Sequence, residues 1–134
     1  MKYLYTTSLL SAALLLTSCG KDSPQPEPQL QGRWHAVSNT AYNFSASGQL
    51  ISQEETPDNS YYLVITPDSM HYRDIRDGNS WGSNAYTRQG QEISYGRARA
   101  TIIELTDHTL SLRFQDTGRT PGMPYQEVED HYSR

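Results

Sequence analysis

The sequence predicts an all-β domain, an antiparallel up-and-down β-barrel of about eight strands. From Leu30 onward no window keeps apolar residues at the i, i+3, i+4 and i+7 spacing of an amphipathic helix, whereas apolar and polar residues alternate repeatedly. Turn-forming pairs such as Ser47-Gly48 and Gln89-Gly90 recur at short intervals. Short turns make successive strands antiparallel, and closing the sheet into a barrel removes its exposed edges.

Each predicted strand is defined by alternation or by β-branched and aromatic residues. The two clearest are residues 99–105 and 109–114. In the first, Arg99, Thr101, Ile103 and Leu105 alternate with Ala100, Ile102 and Glu104, and in the second, Leu110, Leu112 and Phe114 alternate with polar residues. The acidic pair Glu54 and Glu55 is assigned to a solvated loop. The predicted strands, in chain order, cover residues 32–39, 42–51, 61–66, 70–76, 84–88, 92–95, 99–105, 109–114 and 127–132.

The first 18 residues predict a lipoprotein signal peptide. Lys2 precedes an apolar stretch over residues 9–16 that is too short to span a bilayer. Residues 16–18, Leu-Thr-Ser, come directly before Cys19, the single cysteine of the chain. This arrangement resembles the lipobox of bacterial lipoproteins, in which the cysteine is diacylated and becomes the new N-terminus. The resemblance implies attachment to a membrane through lipid on Cys19, because two acyl chains anchor a protein stably.

Residues 19–29 predict the lipidated cysteine and a proline-rich linker. Three prolines alternate with polar residues here, a composition typical of an extended and semi-rigid spacer. Lys21 and Asp22 resemble the basic-then-acidic surface-export signals of lipoproteins in some Gram-negative bacteria, but Ser23 stands where that signal normally has a second acid. Surface display and retention at the periplasmic face of the outer membrane both stay open.

The predicted barrel domain, residues 30–134, carries a family resemblance. Gly32 and Trp34 form a Gly-x-Trp element in the first strand, and this element resembles the opening of lipocalin-like domains. Single residues further along are similar to the small lipocalin-like lipoproteins of bacteria, namely Ile102, Ile103, Leu105, Thr106, Leu110, Tyr132 and Arg134. The resemblance implies a lipocalin-like barrel in which the tryptophan plugs the closed end. It also implies that an arginine, Arg134 or Arg113, packs over the indole.

The sequence has no arrangement typical of catalysis or of a cofactor site. Its four histidines, His35, His71, His108 and His131, lie apart, without a second His or Cys at metal-ligand spacing. It contains no Gly-x-Ser-x-Gly elbow and no glycine-rich phosphate loop. A net charge of -4 without a basic cluster argues against a nucleic-acid partner. We therefore predict no enzyme activity, no metal, no cofactor and no nucleic acid.

Aromatic side chains are the candidates for ligand contact. The chain has 10 tyrosines, and a tyrosine offers both an apolar face and a hydroxyl. Inward-facing aromatics are predicted to line the mouth of the barrel, and the candidates are Tyr42, Phe44, Tyr62, Tyr72, Tyr86 and Tyr95. A second possibility is an exposed platform around Trp81 and Tyr86 that stacks on a sugar or a protein. A third is a narrow barrel that its own side chains fill.

Together these observations predict a lipid-anchored binding protein of the cell envelope, at the outer membrane. In this interpretation the open end of the barrel holds a small, partly apolar ligand. The alternative is an interaction module without a cavity, which binds a glycan or an envelope protein through its loops.

Overall fold

The computed structural model describes residues 28–134. The predicted signal peptide, the predicted lipidation site Cys19 and most of the predicted linker lie outside these residues. Among the residues described, no helix is long and apolar enough to cross a membrane. The ten strands are β1 Gly32–Phe44, β2 Leu50–Pro57, β3 Tyr61–Ile65, β4 Ser69–Asp74, β5 Ser80–Ala85, β6 Thr87–Gln89, β7 Glu92–Tyr95, β8 Ala98–Leu105, β9 Thr109–Gln115 and β10 Tyr125–Ser133.

The strands form one antiparallel sheet that winds into a nearly closed barrel. Its order is β5-β4-β3-β1-β10-β9-β8-β7-β6, with β2 also paired to β1. Two pairs of strands are halves of single traverses: β2 and β3 follow one another along the same edge of β1, and only Tyr86 separates β5 from β6. The chain therefore passes up and down eight times. The predicted fold, an antiparallel up-and-down barrel of about eight strands, is confirmed.

The largest difference from the predicted strands lies at the first hairpin. β1 continues to Phe44, and the chain then turns at residues 45–49, where Ser45 N–H donates to Gln49 O at 2.8 Å and Gly48 has φ +84°. The predicted strand 42–51 is therefore wrong. Glu54 and Glu55, assigned to a loop, lie in β2. All of β2 is exposed, so it lacks the apolar alternation that reveals a half-buried strand.

Trp34 fills the closed end of the barrel. Its side chain is fully buried, and its indole N–H donates to Leu30 O at 2.8 Å. The Arg134 guanidinium lies 4.0 Å from the centre of the ring, in cation–π geometry. Gly32 makes this approach possible, since its φ is +133° and a Cβ there would stand 3.0 Å from Arg134 Nη1. Arg134 Nε also donates to Asp107 O at 2.7 Å, which ties the β8–β9 turn to this end.

From the closed end to its middle, the barrel is filled by its own side chains. One buried cluster joins inward-facing residues of β1, β3, β4, β7, β8, β9 and β10, and its largest fully buried members besides Trp34 are Leu63, Met70, Ile93, Leu110 and Leu112. Tyr86 bridges the two half-strands β5 and β6 at the closed end, where its hydroxyl donates to Thr66 O at 2.9 Å. Space for a ligand must therefore lie toward the opposite, open end.

A bulge in β1 changes which side chains face the interior. Ala36 pairs with Tyr132 and Ser38 with His131, so Val37 is an extra residue without a partner across β10. Trp34 and Ala36 point inward, but beyond the bulge the even-numbered residues of β1 share the outer face with His131. A register slip of one residue moves every following side chain to the other face.

The outer face beyond the bulge carries a polar network on β1, β9 and β10. Glu129 is buried there, and Arg113 donates to its Oε2 from Nη2 at 2.6 Å and from Nε at 3.0 Å. His131 lies between the hydroxyls of Thr40 and Ser111, at 3.0 Å from each. The Arg113 guanidinium also covers the ring of Tyr42, 4.2 Å from its centre. Every charged group of this network therefore has a partner in the wall itself.

Candidate ligand-binding site

Four tyrosines face the interior near the open end of the barrel. Tyr61 and Tyr132 are buried, with ring centres 6.1 Å apart in an edge-to-face arrangement and hydroxyl oxygens 3.1 Å apart. The ring of Tyr72 lies 5.9 Å from that of Tyr61. Tyr95, on β7, packs edge-to-face on Phe114 at 6.2 Å. These four side chains, contributed by β3, β4, β7 and β10, form the layer above the apolar core. We call them the tyrosine layer.

Asp130 joins this layer, because it precedes Tyr132 by two residues on β10 and shares its inward face. Its carboxylate accepts hydrogen bonds from the Tyr132 hydroxyl at 3.1 Å and the Tyr61 hydroxyl at 3.4 Å. Burial raises the pKa of Asp130 above its ordinary value, and the two tyrosine hydrogen bonds oppose that change only in part. The pKa of Tyr61 is raised as well, by burial first and by the Asp130 charge second.

Trp81 lies over this layer at the mouth of the barrel. Its ring centre is 5.5 Å from that of Tyr61, yet 53% of the residue is exposed. The register between β4 and β5 shifts between Tyr72 and Arg73, so Trp81 falls in a bulge rather than opposite a single partner. Beside it, Asn59, Ser60, Asp74, Ile75 and Arg76 complete an open depression of about 580 Å³.

The wall next to Tyr72 contains open space. Gly82 pairs with Tyr72 across the β4–β5 ladder, so a side chain at this position would share the inward face of Tyr72. A Cβ built on Gly82 meets no heavy atom within 4 Å. Within residues 28–134 no ladder joins β5 to β7, which leaves a break in the wall above Tyr86. The mouth can therefore accept a small group between Trp81, Tyr72 and this break.

Asp74 and Asp130, two carboxylates of the mouth, have opposite electrostatic surroundings. Arg76 donates to both oxygens of Asp74, with Nη2 to Oδ2 at 2.8 Å, and these hydrogen bonds lower the pKa of Asp74 to about 2. Asp130 has no such partner: in the part of the chain that the structure describes, no arginine nitrogen lies within 4.0 Å of its carboxylate. Asp130 therefore lacks the arginine partner that Asp74 has.

The structure separates the six tyrosine and phenylalanine candidates into three groups. Tyr72 and Tyr95 belong to the tyrosine layer, while Tyr86 faces inward at the closed end. Tyr42 and Tyr62 lie on the outer face, which corrects the expectation that they line the mouth. Phe44 stacks on Tyr125 at 4.8 Å where β1 ends, away from the interior.

Each corrected residue has a local physical reason for its position. Tyr42 continues the even-numbered series of Trp34, but the bulge at Val37 turns it outward, against Arg113. Tyr62 alternates with the buried Tyr61 and Leu63, and its ring lies beneath the Arg33 guanidinium at 4.6 Å.

Sequence reasoning left out the central members of the site. Tyr61 belongs to the apolar series with Leu63 and Ile65, which was a usable signal for its inward position. Asp130 gave no such signal, since it lies among the polar residues of β10. Among residues 28–134, no group of three or more histidine, cysteine, aspartate or glutamate side chains could hold a metal ion.

Comparison with known proteins adds a likeness of fold. No protein-family model matches the sequence, and no curated protein matches it. Among solved structures, the chain is similar to a lipocalin-like protein from Bacteroides uniformis ATCC 8492, with a TM-score of 0.49 and 15% sequence identity. The alignment covers 78% of this chain and 97% of that one. The barrel is shown by the strand pairing itself.

The opposed pKa shifts of Asp130 and Asp74 predict opposite effects on stability. The pKa of Asp130 is raised in the folded protein. The contribution of Asp130 to stability is therefore fully present below its pKa in the unfolded state, and it is lost as pH rises through its pKa in the folded state. We expect Asp130→Asn to raise the melting temperature at neutral pH, by an amount that shrinks as pH falls toward about 4. An asparagine oxygen still accepts from the tyrosines.

Asp74→Asn is the control of opposite sign. The pKa of Asp74 is lowered to about 2 in the folded protein. Its contribution to stability is therefore present above its pKa in the unfolded state, and it is lost as pH falls through its pKa in the folded state. This variant should melt at a lower temperature than the unaltered protein at neutral pH. Thermal unfolding followed by circular dichroism across the pH range measures both. A lower melting temperature for Asp130→Asn at neutral pH would contradict the account.

Proposed function

We propose that this protein is a lipid-anchored binding protein of the cell envelope, attached to the outer membrane through Cys19, that holds a small, partly apolar molecule at the open end of its barrel. The observation that carries the proposal is the mouth itself. The half-exposed indole of Trp81 covers buried Tyr61, and Gly82 leaves open space on the inward face beside Tyr72. A partly apolar mouth with a few polar groups is typical of small-molecule sites.

The anchor half of the proposal rests on the sequence before the barrel. β1 begins at Gly32, which leaves residues 20–31 between the proposed lipidated cysteine and the first strand. Such a proline-rich tether holds the domain roughly 20 to 30 Å from the bilayer. In the host, Cys19→Ala should abolish incorporation of labelled palmitate and release the protein from the membrane fraction. Continued labelling or membrane retention of that variant would overturn the anchor.

The binding half is tested by native mass spectrometry of the full chain purified from an envelope extract. We expect a small molecule to co-purify with the unaltered protein. Gly82→Leu should reduce the amount bound, because the added side chain enters the open space beside Tyr72. The matched control is Ser83→Leu, one residue along β5 on the opposite face, which should retain the molecule. If repeated preparations of the unaltered protein contain no bound small molecule, the proposal that the mouth holds one is overturned.

The alternative, an interaction module that binds a glycan or an envelope protein, is favoured by one observation, the exposure of Trp81. In this structure Trp81 also touches Tyr61, so loss of binding in Trp81→Ala fits both functions. Gly82→Leu separates them. It blocks the interior and leaves the exposed surface of Trp81 in place, so a partner that binds only the surface should bind this variant normally.

A further inference from the structure

No arginine of the described residues forms an ion pair with Asp130. Residues 28–134 contain no lysine. The two arginines paired with carboxylates are held elsewhere, Arg76 by Asp74 and Arg113 by Glu129. The negative charge of nearby Asp58 opposes the ionisation of Asp130. The tyrosine layer therefore holds a negative charge, without an arginine partner, whenever Asp130 is ionised.

Two tyrosine hydroxyls contact the same carboxylate, and two further aromatic rings pack on one of these tyrosines. Tyr61 and Tyr132 donate to it, the ring of Tyr72 packs on Tyr61, and Trp81 covers Tyr61 from the mouth. Aromatic faces attract cations through the ring quadrupole, and cages of such rings are a common way to bind ammonium groups. The half-exposed ring of Trp81 at the mouth therefore adds to the attraction that the carboxylate has for a cation.

The arrangement disfavours the other ligand classes. An anion would meet the charges of Asp130 and Asp58, and Arg76, the arginine that lines this mouth, is already paired with Asp74. A metal ion needs several hard ligands, and none of the described residues forms a group of three that could hold one. A neutral molecule would leave the ionised carboxylate without a positive partner, which costs free energy in a partly buried site. An organic cation satisfies both the carboxylate and the rings.

We propose that the molecule held at the mouth is an organic cation, whose ammonium group contacts Asp130 and whose apolar part lies against Trp81 and Tyr61. The proposal rests on the proposed function, because it names the chemical class of ligand for the same site. Access is from the open end, where Asp130 stays partly exposed and Gly82 leaves space on the inward face.

The test compares three probes that share a phenyl ring and differ in charge: phenethylamine, phenethyl alcohol and phenylacetate. Calorimetry with the full-length protein in a non-ionic detergent measures their affinities at neutral pH. We expect phenethylamine to bind at least about tenfold more tightly than phenethyl alcohol, as a charge-assisted hydrogen bond would give, with phenylacetate the weakest. Asp130→Asn should abolish this preference. Asp107→Asn, which removes an exposed carboxylate at the closed end, should retain it.

A second readout follows Asp130 directly in the unaltered protein. If the ammonium group contacts the carboxylate, phenethylamine will lower the pKa of Asp130 measured by carboxyl carbon NMR, whereas phenethyl alcohol will not. Equal affinities for the amine and the alcohol would overturn the cation proposal and leave the proposed function standing. If phenethylamine does not bind at all, the cation proposal is also overturned. The proposed function is overturned as well only if the purified protein contains no bound small molecule.

Discussion

Trp34→Ala will destabilise the folded protein by about 3–5 kcal/mol, the range observed when a fully buried tryptophan is truncated. Trp34 is completely buried and closes the barrel where the two chain ends of the domain meet. Its loss leaves a cavity, removes the partner of the Leu30 carbonyl and takes away the surface beneath the Arg134 guanidinium. Urea unfolding followed by far-ultraviolet circular dichroism gives the free energy of unfolding.

Trp81→Ala is the matched control, because it removes the same side chain from the exposed end. With half of Trp81 already in solvent, we expect a loss of at most about 1 kcal/mol. Equal losses for the two variants would contradict the assignment of Trp34 as the plug of the closed end. A loss in Trp81→Ala alone would show that the open end, rather than the closed end, holds the barrel together.

The second large effect is expected at the outer-face ion pair. Arg113→Met leaves Glu129 buried without its arginine, and the expected cost is about 2–3 kcal/mol, below the range for a fully buried pair because part of Arg113 is exposed. The variant also uncovers the ring of Tyr42. The double variant Arg113→Met/Glu129→Met should recover most of the lost stability, since it removes the unpaired charge along with its former partner.

Arg33→Met is the control for this pair. Arg33 also stacks on a tyrosine, at 4.6 Å from the ring of Tyr62, but it has no carboxylate partner among the described ion pairs. Its replacement should cost at most about 1 kcal/mol. If Arg113→Met and Arg33→Met lower the free energy of unfolding equally, the stacking alone accounts for both and the ion pair contributes little.

The strands that sequence reasoning predicted closely are those with one apolar face. β8 and β9 were expected at residues 99–105 and 109–114 and lie at Ala98–Leu105 and Thr109–Gln115. In both strands alternate residues enter the core, Ala100 and Ile102 in β8 and Leu110 and Leu112 in β9, although a register shift after Ile102 leaves Ile103 exposed. β2 was missed because it is exposed on both faces, and such a strand forms only because β1 offers an unpaired edge.

The site was harder to predict because it depends on register. Tyr42 faces outward because of a single bulged residue, Val37, and no local sequence pattern indicates that bulge. The side chain of Asp130 faces the interior because residues two apart on a strand share a face, and Tyr132 faces the interior. The residues that surround Asp130 are set by the pairing of β10 with β1 and β9. Composition indicated that tyrosines would form a site, whereas only the assembled sheet shows which of them meet at the mouth.

The central claim is that a small molecule binds at the open end, and the two tryptophans of the chain allow a direct test. Trp81 lies at the mouth and Trp34 at the closed end, so their indole N–H signals in a proton–nitrogen NMR spectrum report the two ends separately. The isotope-labelled full chain is titrated with the small-molecule fraction of an envelope extract. The account predicts a saturable shift of the Trp81 signal with the Trp34 signal unmoved. A shift at Trp34 alone, or a response confined to the exposed strand β2, would contradict it.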